Sequence, residues 1–66
     1  MSESAARAAI KAAGVGSKVE IQNYDGMVFV GYIREITKDN VTIQERGLDY
    51  ETEIAYRDIE MTIKVG

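Results

Sequence analysis

The sequence predicts a mainly β fold, a small five-stranded, strongly bent antiparallel barrel behind one N-terminal α-helix. Three observations predict it. Alanine-rich sequence is confined to the start of the chain, apolar residues recur at every second position from Ser17 onward, and the connections between these runs are too short for crossover helices. At 66 residues the chain reads as one domain, 1–66, with the helix at about 4–13 and the barrel at about 17–65.

The run Ser4 to Ala13 is dominated by the best helix former, and Ser4 is suited to accept the first free backbone N–H groups. Gly14 supplies the stop. On a period of 3.6, Ala6, Ile10 and Ala13 share one narrow apolar face, which predicts a helix that docks lightly without joining the core. Glu3, Arg7 and Lys11 are spaced four apart on another face.

From Ser17 the period becomes two. Val19 and Ile21 alternate with Lys18, Glu20 and Gln22, a half-buried strand, and Asn23-Tyr24-Asp25-Gly26 closes a hairpin in which Gly26 accepts positive φ. Met27 to Ile36 is the longest strand and is apolar on both faces near its start, so both faces need cover. Gly31 interrupts it where a sharp bend would crowd a side chain. After the polar turn Thr37-Lys38-Asp39-Asn40, the run Val41 to Gln44 is a third strand, and Glu45 to Asp49 is the next connection. Tyr50, Thr52, Ile54 and Tyr56 point one way along a fourth strand, with Glu51, Glu53, Ala55 and Arg57 on the other side. Arg57-Asp58 is a tight link to a fifth, in which Ile59, Met61, Ile63 and Val65 alternate with Glu60, Thr62 and Lys64.

A chain this short buries only about 60% of its unfolded surface, so a lone copy is marginally stable. Without Cys or His, disulfides are excluded and metals nearly so, which leaves self-association as the remedy. The net charge of −3 and a pI near 4.8 argue against sequence-blind attraction to phosphate backbones, so any nucleic-acid site must be local. No apolar run reaches the ~18 residues that span a bilayer, and no basic leader precedes a hydrophobic stretch. The expectation is a soluble, cytoplasmic protein without a membrane partner. Ser2, Ser4 and Ser17 have no recognisable base partner, and Glu51 and Glu53 read as a solvated strand edge. No enzyme, metal or cofactor is expected.

The order of helix, Val19-x-Ile21, Asp25-Gly26-x-x-Phe29-x-Gly31-x-Ile33 and a last strand opening at Ile59 resembles the Sm-like family, Hfq-type proteins included. The resemblance covers nearly the whole chain and is sharpest from Asp25 to Gly31. Similar spacing occurs in other small SH3-like barrels. The resemblance implies a homo-oligomeric ring of roughly five to seven copies, made by pairing the fourth strand of one subunit with the fifth of the next. It also implies binding of single-stranded RNA, or DNA, through the loops Thr37 to Asn40 and Tyr56 to Asp58. The residues so implicated are Lys38, Asp39, Asn40, Tyr56 and Arg57. Tyr56-Arg57 stands where the Hfq type carries a Lys-His pair. Arg57 is the foremost candidate, because a guanidinium binds phosphate bidentately or stacks on a base. Arg7 and Lys11 would add a basic band if the helix lies over the open end of the barrel. The alternative is an SH3-like protein-interaction module, or a purely structural oligomer, that contacts partners through its sheet edge or its tyrosines.

Overall fold

The computed structural model describes residues 1–65. Ser2 accepts a hydrogen bond from the Ala5 N–H at 3.1 Å and caps helix α1, Glu3–Ala13. The cap expected at Ser4 thus falls two residues earlier. Ser2 has the extended backbone that aims its hydroxyl at the first free N–H groups, whereas Ser4 already lies in the first turn. Gly14 ends the helix at φ 85°, its N–H returning to the Ile10 carbonyl at 3.0 Å.

Five strands follow: β1 Lys18–Asn23, β2 Val28–Ile36, β3 Asn40–Glu45, β4 Glu51–Ala55 and β5 Ile59–Lys64. A single 3-10 turn, Tyr56–Asp58, joins β4 to β5, so the expected fourth strand ends before Tyr56. All neighbours are antiparallel and the spatial order is β4-β3-β2-β1-β5, a meander whose last strand returns beside the first. Met27, expected at the head of the second strand, belongs to the hairpin turn. There its N–H donates to Asn23 Oδ1 at 2.9 Å, and the Asp25 N–H donates to the same oxygen at 3.0 Å.

The connection between β4 and β5 dictates the curvature. In a flat sheet these two edges would stand ~19 Å apart, at the usual ~4.8 Å per strand. The four steps from Ala55 to Ile59 reach at most ~14 Å when fully extended, and ~8 Å in a 3-10 turn. The sheet must therefore roll until its edges approach, which makes it barrel-like. Among the described residues β5 pairs with β1 and not with β4, so the hydrogen-bonded meander does not close, and β4 and β5 are its edges.

Gly31 makes the roll feasible. It lies where β2 pairs with both neighbours, opposite Val19 on β1 and Glu45 on β3. A Cβ there would collide with the backbone carbonyl oxygen of Gln44 and come within 2.8 Å of its carbonyl carbon and 2.9 Å of the Glu45 Cα. A register shift between Ile33 and Glu35 bends the same strand further along.

Inward-facing residues of all five strands meet in one core: Val19, Ile21, Ile33, Val41, Ile43, Ile54 and Ile59, with Tyr56 from the 3-10 turn. Ala6 and Ile10 are fully buried in the same cluster. The light docking expected of the helix is thus corrected. It packs against β5 and the 3-10 turn, and Ile10 is as deep in the core as any strand residue.

The fifth strand also departs from expectation. Met61 faces Gln22, but Ile59, not Glu60, faces Asn23. This bulge splits the period-two run: Ile59 points into the core, while Met61 and Ile63 fall beside Gln22 and Glu20 on the outer face and are 37% and 48% exposed. On that face Val28 and Tyr32 of β2 are exposed as well. The accessible surface of 4045 Å² means that roughly 60% of the extended chain's surface is buried, as its size dictates.

Candidate nucleic-acid interface

Fifteen residues separate the two loops implicated by sequence, yet the fold brings them together through Tyr56. Its phenol donates to the Thr37 carbonyl at 2.6 Å and its backbone N–H donates to the Asp39 carbonyl at 3.1 Å. The side chain is fully buried, because the 3-10 turn drops it under the β2–β3 turn and against α1. Burial pushes the phenol above its ordinary value near 10; Arg7 pulls it down and Asp39 pushes it up, and burial prevails.

The β2–β3 turn is itself closed by Thr37. Its hydroxyl accepts from the Asn40 N–H and donates to the Asn40 carbonyl, both at 3.0 Å, while the Thr37 N–H donates to that carbonyl at 2.9 Å. The turn is therefore a rigid mount that leaves Lys38 and Asp39 exposed at its tip. Asn40 is half-buried and committed: its Nδ2 donates to Glu53 Oε1 at 3.1 Å, and its backbone pairs with Ala55. Turn chemistry and strand pairing account for Asn40 without a ligand.

Of the sequence-predicted residues, Lys38, Asp39, Arg57 and Arg7 come to this one end. Arg57 is exposed on the 3-10 turn and Arg7 is half-buried, close enough to act on the Tyr56 phenol. Tyr56 offers no face to a base, since it is fully buried; its part is to fasten the two turns together. Lys11 is exposed one helical turn further along α1, about 6 Å along the axis from Arg7. The cations Arg7, Lys38 and Arg57 share this end with the carboxylates of Asp39, Glu53 and Asp58, so the local charge is balanced.

Two features escaped sequence reasoning. The outward facing of Met61 and Ile63 is hidden by the bulge at Glu60, whereas Val28 and Tyr32 belong to the second apolar face that the sequence predicts for β2. A shallow groove of about 320 Å³ runs beside the C-terminal half of α1, between Ala9, Ala12 and Ala13 on the helix and Val19, Thr62 and Lys64 on the sheet. The alternation along β5 could not indicate it, since the bulge alone turns Thr62 and Lys64 toward the helix. Among the described residues no helix is long and apolar enough to cross a membrane, and no three potential ligands gather as a metal site. No family model, curated protein or solved structure matches the chain.

Proposed function

We propose that the protein is a non-enzymatic, self-associating, Sm-like module of the cytoplasm that binds single-stranded RNA, or DNA, at the joined β2–β3 and 3-10 turns. The observation that carries this reading is the double hydrogen bond of Tyr56 to Thr37 and Asp39, which holds Lys38 and Arg57 on one rigid surface beside Arg7. A preorganised surface saves the ordering cost that a flexible loop incurs on binding. Lys38 and Arg57 contact phosphate, Asp39 accepts from a base edge, and Arg7 supplies a second phosphate contact from the helix. Because the local charge is balanced, affinity per copy is low, and repetition of the site in an oligomer multiplies it.

The sheet order supports the family resemblance, with a helix at one end, a bent second strand and a three-residue link before the last strand. In the ring of about five to seven copies that the resemblance implies, β4 of one copy covers β5 of the next. Both strands are edges and available.

Fluorescence anisotropy with short uridine-rich and adenine-rich oligonucleotides, at low and moderate salt, tests the reading. Micromolar binding that weakens with salt supports it; no binding by the folded, associated protein at micromolar concentration defeats it. A second reading, a protein-interaction or purely structural oligomeric module, is favoured by the exposed Val28, Tyr32, Met61 and Ile63. It predicts an associated protein without affinity for either oligonucleotide.

A further inference from the structure

Among the described residues β4 and β5 each have one unpaired edge, and the phase of their hydrogen bonds decides how those edges can meet. The Val65 N–H donates to the Lys18 carbonyl at 2.9 Å, a phase that turns the backbone groups of Met61 and Ile63 toward β1 and those of Thr62 and Lys64 outward. On the other edge the Tyr56 N–H donates to the Asp39 carbonyl at 3.1 Å. That phase turns Thr52 and Ile54 toward β3 and leaves the backbone groups of Glu51 and Glu53 outward. Residues directly opposite in an antiparallel pair carry their side chains on the same face. An antiparallel junction of β4 with β5 of another copy therefore sets Glu51 and Glu53 on the face of Thr62 and Lys64. It sets Thr52 and Ile54 on the face of Met61 and Ile63. The second copy is turned over, so that its helix side continues the outward face of the first.

We infer that the occupant of the β5 edge is β4 of a second copy, in the register that places Glu51 opposite Lys64 and Glu53 opposite Thr62. The inference rests on the proposed self-association and deepens it, by fixing the register and the contacts. Lys64 lies on the helix side, level with Val19 and lining the alanine groove, and the exposed Glu51 carboxylate arrives on that side. On the opposite face Met61 falls against Ile54 and Ile63 against Thr52, so the strip turned outward by the bulge extends the neighbour's core. Tyr50, 63% exposed, comes level with Val65 on that same face. Charge meets charge and apolar meets apolar along the whole of β4. Slipping by two residues one way opposes Glu53 to Glu60, and the other way carries Glu51 past the end of β5. β4 laid on β4 of its own copy about Glu53 would set two carboxylates side by side. Each junction leaves one β4 and one β5 free, so assembly runs head to tail.

The test uses the full chain, which has no cysteine of its own. Glu53→Cys and Thr62→Cys are prepared separately and mixed, so that any disulfide joins two copies. Opposed hydrogen-bonded residues have Cα atoms ~5.5 Å apart, within disulfide reach. Mild oxidation of the mixture is therefore expected to give a covalent dimer that neither variant gives alone. Sedimentation of the parent is expected to show a mass rising past two chains with concentration. Lys64→Glu and Glu51→Lys are each expected to weaken association about fivefold, and the double variant to recover it. A single-chain mass at every concentration overturns self-association and this inference with it. Multimers of the parent without the mixed cross-link overturn the register alone, and a covalent dimer of Thr62→Cys by itself overturns head-to-tail joining. A mixed cross-link with association indifferent to both charge reversals overturns the contact of Lys64 with Glu51.

Discussion

The turn end and the outer face of the sheet are built on opposite physics. At the turn end, every sequence-predicted polar group sits on or beside a network of satisfied hydrogen bonds centred on the buried Tyr56. On the outer face of β5, β1 and β2, apolar side chains lie exposed between Glu20, Gln22 and Lys18, and the Gln22 amide donates to Glu60 at 3.3 Å. The first region presents fixed polar groups, the second an exposed apolar surface. Hydrogen-bonded order and apolar exposure are thus separated in space.

The largest expected effect breaks the scaffold common to both regions. Gly31→Ala drives a Cβ into the Gln44 backbone and is expected to cost roughly 3 kcal/mol, lowering Tm by more than about 10 °C in thermal unfolding. A variant as stable as the parent would show that the bend does not need glycine. Next is Tyr56→Phe, which removes the phenol of a fully buried side chain from its bond to the Thr37 carbonyl. It is expected to cost about 1–2 kcal/mol and to speed amide exchange in the β2–β3 turn.

The same tyrosine sets an alkaline limit. Its folded-state pKa lies above the unfolded value near 10, so its contribution to stability is complete below pH 10 and is lost as pH rises through the folded value. Denaturant titrations are expected to show stability falling above pH 10 in the parent and falling less steeply in Tyr56→Phe. Equal slopes would remove the burial of the phenol as their cause.

Much of this was legible in the sequence. Period-two runs mark four of the five strands and an apolar run on both faces marks β2, where Gly31 indicates the bend. The loops carrying Lys38 and Arg57 are legible as candidate sites, but their proximity is not. What could not be read was long-range. A bulge of one residue at Glu60 reverses the facing of Met61 and Ile63 without any local signal in a clean alternating run. Tyr56 reads as one more inward strand residue, and only the return of the chain beneath Thr37 makes it a fastener. The depth of Ile10 likewise depends on the open end of the rolled sheet, which no helical period records.

Smaller effects sharpen the boundary between the two regions. Arg57→Ala is expected to weaken oligonucleotide binding about fivefold and reduce its salt dependence, with stability unchanged to within about 0.5 kcal/mol. An equal loss of stability would mark Arg57 as structural. Lys11→Ala, one helical turn from the cluster, is expected to change affinity by about twofold or less. Val28→Thr, on the outer face, should leave oligonucleotide affinity unchanged in the same anisotropy assay.

The most direct measurement of the proposed function is an amide chemical-shift map of the protein titrated with a uridine-rich oligonucleotide. Shifts concentrated at Arg7, Lys38, Asp39, Asn40 and Arg57, with Val28, Tyr32 and Ile63 unmoved, are the predicted result. Shifts centred on the outer face, or none at saturating oligonucleotide, would contradict the assignment of the joined turns as a nucleic-acid surface.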